Sequence, residues 1–220
     1  MKKSLMLLAI AAMVCACGAP THTPTRGEAY PKMYEEKPLT LLVMPPINNS
    51  SFVEAKDLFY TSISFPLAEA GYYIISPLLA MDILKAESAY DAELFVDAPL
   101  NKFKQFFGAD AVVFTEIDTW TKRGFGIETD IRCFIKSTTS GEILFDKSAT
   151  YYLDLSVRSG SSSTLGALID LAASAINTAV TEHIQAARLA NRMVFEDLPQ
   201  GKYDPDYMQD QNKEAKPDNN

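Results

Sequence analysis

The sequence predicts a single two-layer α/β domain with a mixed five-stranded sheet and helices mainly on one face. Three observations indicate this class. A continuous apolar run at 39–44 is typical of a strand buried on both faces. Segments with helical apolar spacing follow it, and three long segments with alternating apolar residues come later. The predicted order is therefore β-α-β-α-α-β-β-β-α.

The first strand and the first helix of the domain have clear sequence boundaries. Leu39–Met44 is the predicted strand, and Pro45-Pro46 ends it because proline has no amide donor. Residues 53–70 carry apolar side chains near helical spacing and predict a helix. Pro66 lies inside that helix and predicts a kink or a break, and Gly71 is expected to end it.

One strand and two helices come next. Tyr72–Ile75 is the predicted second strand. Pro77 opens a helix that runs to about Ser88, since proline is favoured at the first helical position. Pro99–Phe107 is a shorter predicted helix with Gly108 as its stop, and the residues between these two helices are an expected loop.

A three-stranded meander and a long helix complete the predicted domain. Its strands are Ala111–Trp120, Phe125–Lys136 and Ile143–Leu155, joined by turns at 122–124 and 139–141. Helical spacing of apolar residues begins at Thr164, a candidate N-cap, and continues to residue 187. This is the longest predicted helix.

Strict alternation along the first meander strand places Glu116, Asp118 and Trp120 on one face. Paired carboxylates act as general acid and base only where a cleft desolvates one of them. Their more ordinary role is pairing with basic side chains of neighbouring strands, such as Arg132. The pair is therefore the only catalytic candidate that the sequence offers.

The first 17 residues are typical of a bacterial lipoprotein signal. Two lysines precede the apolar run 5–14, which is too short to span a bilayer as a permanent helix. The run ends in Val14-Cys15-Ala16-Cys17, where small Ala16 before Cys17 fits a lipobox and bulky Val14 before Cys15 does not. We expect removal of residues 1–16 and lipidation of Cys17 by acyl chains such as palmitate. The alternative is a plain secreted protein with two accidental cysteines.

The signal also sets the expected location and the outer boundaries of the domain. Residue 18 is Gly rather than Asp, which by analogy with enterobacterial sorting favours the outer membrane, with the domain facing the periplasm. Residues 17–37 are rich in Pro, Thr and charge and predict a flexible tether. Residues 38–198 form the predicted α/β domain, and 199–220 predict an acidic, largely disordered tail.

Charge and cysteine content exclude some classes of protein. With 28 acidic and 20 basic residues the formal charge is −8, which disfavours general nucleic-acid binding. Three cysteines, two of them in the signal region, do not make a disulfide framework. Cys133 shares a predicted strand face with isoleucines at 127, 131 and 135, which indicates a buried thiol. A reactive thiol would need a basic neighbourhood.

Little else in the sequence predicts catalysis. His22 and His183 are the two histidines, and no cluster has the spacing of metal ligands. The loop 160–166 lacks the Gly-Lys-Ser/Thr ending of a phosphate loop, and Gly124-Phe125-Gly126 is half of a dinucleotide fingerprint placed at a hairpin. We expect no enzymatic activity, no cofactor and no metal.

Several longer stretches carry a family resemblance. They are Val43-Met44-Pro45-Pro46-Ile47-Asn48, Pro66-Leu67-Ala68-Glu69-Ala70-Gly71-Tyr72-Tyr73 and Phe107-Gly108-Ala109-Asp110-Ala111-Val112. With them, residues 38–207 resemble the bacterial lipoprotein family known as domain of unknown function 799. The ending Tyr203-Asp204-Pro205-Asp206-Tyr207 is similar to the family's Pro/Tyr-rich ending, although Lys202 stands where the family has proline.

The resemblance implies an envelope lipoprotein without known catalysis. Members of that family are commonly encoded beside a lipoprotein resembling the curli secretion channel. The implied fold is similar to the amino-terminal domain of TolB and to the periplasmic part of that channel. No catalytic residue is carried over, because the family defines none.

Two functions follow as hypotheses. The first is a non-enzymatic, outer-membrane-anchored periplasmic lipoprotein that serves as an accessory component of an envelope secretion or assembly complex. Its expected partners are other lipoproteins, such as a curli-channel-like one, or a second copy of the chain. The alternative is a small-ligand or peptidoglycan-binding module, for which ten Tyr, twelve Phe and Trp120 near a strand exit offer aromatic surfaces.

Overall fold

A computed structural model describes residues 22–154 and 179–216 of the chain. The strands are β1 (Thr40–Val43), β2 (Ile47–Asn48), β3 (Tyr73–Ile74), β4 (Ala111–Arg123), β5 (Gly126–Ser137) and β6 (Ile143–Asp154). The α-helices are α1 (Arg26–Ala29), α2 (Pro31–Glu36), α3 (Ala55–Ser62), α4 (Ser64–Glu69), α5 (Pro77–Ala86), α6 (Asn101–Phe107) and α7 (Ala179–Val194). A 3₁₀ turn covers Ala92–Phe95.

The strands form one mixed sheet in the order β3-β1-β4-β5-β6. β1 runs parallel to β3 and β4, whereas β4, β5 and β6 form an antiparallel meander. The two-residue β2 is a sixth strand, which pairs with β4 just beyond β1. Pro45-Pro46 separates β1 from β2, as expected of residues without amide donors. The predicted α/β class and its mixed sheet are confirmed, with β2 as an additional strand and α1 and α2 as additional helices before β1.

Apolar side chains of the sheet fill a core on each face. Leu41 and Val43 of β1 point into the larger core with residues of α2, α3, α4 and α7. Leu42 and Met44 point into the smaller core with residues of α5, the 3₁₀ turn and α6. The prediction of helices mainly on one face therefore needs a refinement, because two helices cover part of the second face. A continuous apolar β1 is what burial on both faces requires.

The break predicted at Pro66 is present three residues earlier. α3 ends at Ser62 and α4 begins at Ser64, so the helix divides at Ile63. Pro66 lacks the N–H that would bond the carbonyl of Ser62, and this missing bond explains the position. Gly71 follows α4 with a φ of 85°, a value that glycine adopts without strain.

A bulge in β4 changes the predicted faces of that strand. The register with β5 shifts between Ile117 and Thr119, and Asp118 is the extra residue. Ile117 and Trp120 consequently both belong to the larger core, three positions apart. The prediction that Trp120 shares a face with Glu116 is wrong, because an extra residue reverses the alternation beyond it.

The segment from Thr25 to Glu36 is folded, although it falls inside the predicted tether. It forms α1 and α2, and Tyr30 and Met33 are buried in the larger core. The ring of Tyr30 lies 4.7 Å from that of Phe145 in β6. The prediction of a flexible tether up to residue 37 is therefore corrected at this segment.

The C-terminal residues 199–216 also pack on the domain instead of forming a disordered tail. Tyr203 N–H donates to the carbonyl of Gly71 at 3.0 Å, and Ala215 N–H donates to that of Pro24 at 2.8 Å. Lys216 N–H donates to Asp197 at 2.6 Å. The N–H groups that make these contacts belong to the main chain, so the polar composition that suggested disorder gave no indication of them.

A buried ion pair joins this region to the sheet. Lys147 Nζ of β6 lies 3.0 Å from Asp197 Oδ2, and the two side chains are 5% and 3% exposed. Lys147 also donates to the carbonyl of Lys216. The pair therefore connects β6, the segment after α7 and the C-terminal residues.

The last helix extends further than its sequence pattern. α7 ends at Val194, beyond the predicted residue 187, and its Ala186, Ala187 and Ala190 are fully buried. Alanine allows such a helix to approach the sheet closely. The predicted start at Thr164 and the loop 160–166 lie outside the described residues.

A glycine substitution tests whether residues 201–204 are packed as described. A Cβ on Gly71 would lie 2.5 Å from Asp204 N and 2.8 Å from Gly201 O, whereas one on Gly141 would meet nothing within 4 Å. Both glycines have positive φ, so each Ala variant carries about 1 kcal/mol of strain. We expect Gly71→Ala to lose about 1–3 kcal/mol more than Gly141→Ala in urea unfolding, because of the overlap. Equal losses would contradict this packing.

The Lys147–Asp197 pair gives a second prediction. Asp197→Ala leaves the ammonium of Lys147 buried without its carboxylate, so we expect a loss of about 3–5 kcal/mol in the free energy of unfolding. The double variant Lys147→Met/Asp197→Ala removes the buried charge and should recover much of that loss. Urea unfolding of the protein measures both. A double variant no more stable than Asp197→Ala would contradict the assignment of a buried charge pair.

Candidate functional site

The two ends of the described domain meet in one place, which we call the terminal clamp: residues 24–28, 196–200 and 210–216. A β-bridge joins Thr25 to Glu214. Arg26 N–H donates to the carbonyl of Lys213 at 2.8 Å, and Gly27 N–H donates to that of Gln211 at 2.9 Å. The chain thus enters and leaves the domain side by side.

A single charged pair organises the terminal clamp. Arg26 Nη1 lies 3.1 Å from Asp210 Oδ2, and the exposed fractions of the two side chains are 11% and 0%. The guanidinium also donates to two main-chain carbonyls, from Nη1 to Leu198 at 3.3 Å and from Nη2 to Glu196 at 2.8 Å. Asp210 Oδ2 additionally accepts the N–H of Gln200 at 3.0 Å. The pair therefore holds three separate stretches of chain together.

Two tyrosines lie in the electrostatic field of this pair. Burial, followed by the Asp210 charge, raises the pKa of Tyr34 well above its ordinary value. Burial chiefly raises the pKa of Tyr72 as well, and its hydroxyl donates to the carbonyl of Pro199 at 2.7 Å. Both phenols therefore stay neutral at physiological pH, where both are buried packing groups and Tyr72 is also a hydrogen-bond donor. The surroundings of Tyr34 and Tyr72 therefore favour a structural role for the two phenols over a role in proton transfer.

The local sequence explains why the chain turns at the clamp. Thr25 and Glu28 form a capping box in which Glu28 Oε2 accepts the Thr25 N–H at 2.8 Å. That backbone hydrogen bond is the main cause of the lowered pKa of Glu28. Pro31 then occupies the first position of α2. This Thr-x-x-Glu signature was the available sequence signal for the folded segment, and sequence reasoning missed it.

The predicted lipidation site, Cys17, lies outside the described residues. It precedes Pro24, the first residue of the terminal clamp, by seven positions. The predicted tether up to residue 37 is accordingly reduced to the residues before the clamp. The short sequence distance between Cys17 and the terminal clamp is the feature of this site that bears most directly on function.

The predicted carboxylate pair is divided between two different partners. Glu116 Oε2 lies 3.3 Å from Arg132 Nη1, while Arg132 makes two hydrogen bonds to Asp146 at 2.9 and 2.7 Å. The hydrogen bonds to Asp146 chiefly raise the pKa of Arg132. Asp118, on the bulge, accepts from Asn49 Nδ2 at 2.8 Å. These contacts orient the two carboxylates as structural acceptors and do not converge on a shared cleft.

Trp120 and His183 are brought together by the fold, and no sequence pattern pairs them. Trp120 is 2% exposed, and its Nε1 donates to His183 Nδ1 at 2.9 Å. The ring of Phe52 stacks on His183 at 4.1 Å. The indole that suggested an aromatic binding surface is therefore part of the core.

The remaining candidates from the sequence are Cys133, His22 and the turn at Gly124 and Phe125. Cys133 is fully buried, and burial raises the pKa of its thiol to about 12, so it is protonated at physiological pH. His22 is exposed at the first described position. Gly124 and Phe125 form the tip of the β4–β5 hairpin, where Phe125 is 80% exposed.

An apolar surface on α5 is an exposed feature that sequence reasoning missed. Leu78, Leu79 and Ile83 are 76%, 59% and 38% exposed, although only Ala80 and Leu84 of this helix are fully buried. Helical spacing predicted this helix, but it did not indicate that the fold buries only a small part of the helix surface. Clustered exposed apolar side chains are typical of protein-binding surfaces.

Two absences concern the described residues alone. No group of three or more His, Cys, Asp or Glu side chains within 22–154 and 179–216 is arranged to hold a metal ion. In the same part of the chain, no helix combines the length and the apolar character that crossing a bilayer requires.

Solved structures with similar folds come from several bacteria. The crystal structure of lipoprotein GNA1162 from Neisseria meningitidis has a TM-score of 0.48 and 25% identity, covering 63% of this chain and 94% of that one. The PelC dodecamer from Paraburkholderia phytofirmans has a TM-score of 0.43 and 11% identity, covering 72% and 87%. The LpoB C-terminal domain from Salmonella enterica has a TM-score of 0.39 and 14% identity, covering 64% and 91%. Because these TM-scores are below 0.5, we base no inference on them.

Sequence comparison gives a firmer relationship. "Putative lipoprotein NMB1124/NMB1162" of Neisseria meningitidis serogroup B is 29% identical over 161 residues, which cover 70% of this chain and 72% of that protein. The family described as "Putative lipoprotein GNA1162-like" matches residues 29–202. That range contains the meander, the smaller core and all of the larger core except Ala215, together with residues 196–200 of the terminal clamp. The chain therefore belongs to the GNA1162-like lipoprotein family.

Proposed function

We propose that this chain is a non-enzymatic lipoprotein, anchored in the outer membrane through acylated Cys17, that serves as an accessory component of an envelope secretion or assembly complex. Membership of a lipoprotein family is the observation that carries the proposal. The lipobox supplies the attachment point, and Gly18 favours the outer membrane with the domain facing the periplasm. Two or more acyl chains at one cysteine give stable anchoring.

The surface of the domain supports a role in protein assembly. α5 exposes three large aliphatic side chains, Leu78, Leu79 and Ile83, on a helix of ten residues. Leaving such side chains in water is unfavourable by about 25 cal/mol per Å² of apolar area, so a partner that covers them gains free energy. We infer that α5 contacts another envelope lipoprotein, such as a curli-channel-like one, or a second copy of this chain.

The alternative of a small-ligand or peptidoglycan-binding module has weaker support. It relied on Trp120 as an accessible stacking surface near a strand exit. The indole is 2% exposed and its N–H is satisfied by His183, so it offers no face to a sugar. An acid–base enzyme has weaker support still, because Glu116 and Asp118 each hold a structural partner.

Replacement of the proposed attachment residue tests the anchoring. In Cys17→Ala we expect no acylation, and the chain should leave the outer-membrane fraction for the soluble fraction, or keep its signal peptide. Cys15→Ala is the matched control and should remain acylated, because residue 15 lies in the segment that is removed. Intact mass spectrometry after membrane fractionation measures both. Loss of the acyl mass in Cys15→Ala with its retention in Cys17→Ala would contradict the assignment.

Substitution on α5 tests the assembly role. Leu79→Asp should reduce partner capture by crosslinking at least about tenfold, which corresponds to about 1.4 kcal/mol. Lys85→Gln changes another exposed position of α5 and should capture the partner at the unsubstituted level. Surface changes of this kind alter the free energy of unfolding by only about 0.5 kcal/mol, which a melting curve verifies. A crosslinked partner still captured by Leu79→Asp would exclude α5 as the contact.

A further inference from the structure

The length of chain between the proposed lipid anchor and the folded domain is short. Six residues, 18–23, separate Cys17 from Pro24, whose carbonyl accepts the N–H of Ala215. The seven peptide units that join Cys17 to Pro24 span at most about 25 Å when fully extended. As a flexible coil they have a root-mean-square length of about 15 Å. The domain is thus attached at a fixed point by a very short connection.

That point lies at one end of the sheet. α2 follows the clamp directly and contacts the β5–β6 turn, where Ser140 Oγ donates to Glu36 Oε1 at 2.6 Å. Lys32 of α2 forms an ion pair with Glu142 of the same turn. The C-terminal end of α7 is also here, because the ring of Phe195 lies 6.1 Å from that of Phe145. The clamp and the β5–β6 turn therefore share one end of the domain.

The β4–β5 hairpin marks the opposite end. β4 has 13 residues, and at about 3.3 Å per residue it is about 40 Å long. Its tip carries Phe125, which is 80% exposed. The tip is therefore separated from the clamp end by more than the connection to Cys17 can span.

We propose that the clamp end of the sheet faces the phospholipid surface and that the Phe125 hairpin is the membrane-distal end of the protein. This inference rests on the proposed acylation of Cys17. A domain tethered at one end of its sheet, and excluded from the bilayer, keeps that end within about 25 Å of the lipid. The other end lies up to about 40 Å further away, so the clamp end is the closer one when averaged over the tilts that the domain samples. The orientation thus follows from the clamp and needs no further membrane contact.

The side chains at the clamp end suit a position beside lipid headgroups. Lys213 pairs with Asp206 at 2.8 Å, and these side chains are 51% and 57% exposed. Lys216 and Glu196 form another exposed pair. Charged side chains that are paired with each other favour water and headgroups over the acyl region. The clamp end therefore lies on the membrane surface without inserting.

Energy transfer to a labelled membrane tests the orientation. The acylated protein, its acyl mass confirmed, is placed in phosphatidylethanolamine/phosphatidylglycerol vesicles that carry a headgroup acceptor dye. Donor dyes are attached in turn at Lys213→Cys and Phe125→Cys, since buried Cys133 does not react while the domain is folded. We expect at least twofold greater transfer from the Lys213→Cys donor. Inserting fifteen Gly/Ser residues between Pro20 and Thr21 should reduce that difference.

Each outcome has a definite meaning. Equal transfer from both donors in the acylated protein, or greater transfer from Phe125→Cys, would overturn the orientation and leave the proposed anchoring intact. A difference that the Gly/Ser insertion does not reduce would also overturn it, because tether length would then not be the cause. Absence of acyl mass at Cys17 would overturn the proposed function and this inference with it.

Discussion

The buried pair of Arg26 and Asp210 is the interaction on which the arrangement of both chain ends depends. A guanidinium and a carboxylate removed from water lose hydration, so the attraction between them adds little net stability. The pair affects the structure through the other groups that it binds. Arg26 also donates to the carbonyls of Glu196 and Leu198, and Asp210 also accepts the N–H of Gln200. We infer that one placement of the two chain ends allows all of these hydrogen bonds at once. Separating the ends would leave either charge buried without its partner.

The elements of the sheet could be predicted because their signals are local. A strand buried on both faces is continuously apolar, as β1 is, and the meander strands alternate over most of their length because one of their sides faces the larger core. The position of Trp120 could not be predicted in this way. A bulge such as that at Asp118 depends on the pairing of β4 with β5, and no periodicity within β4 alone indicates an extra residue. The error in the predicted face follows from that one position.

The terminal segments were misjudged for a different reason. Both are polar and rich in proline, and a composition of this kind usually indicates disorder. Their order comes from contacts between residues about 180 positions apart, such as Arg26 with Asp210, and composition carries no record of such pairing. The capping box of Thr25 and Glu28 was a local signal of order, but its length of four residues made it easy to overlook. The tight approach of Gly201 to Gly71 had no sequence signal at all.

The proposed anchoring and the proposed assembly contact lie on opposite faces of the sheet, each beside one of the two cores. The clamp and α7 belong to the larger core, so anchoring and chain-end closure are completed on that face. Ala80 and Leu84 of α5 pack into the smaller core, on the opposite face, next to Leu42 and Met44. A partner that covers Leu78 and Leu79 therefore meets a helix held by the central strand β1, away from the connection to the lipid. Because β1 contributes side chains to both cores, it links the anchored face to the face available for assembly.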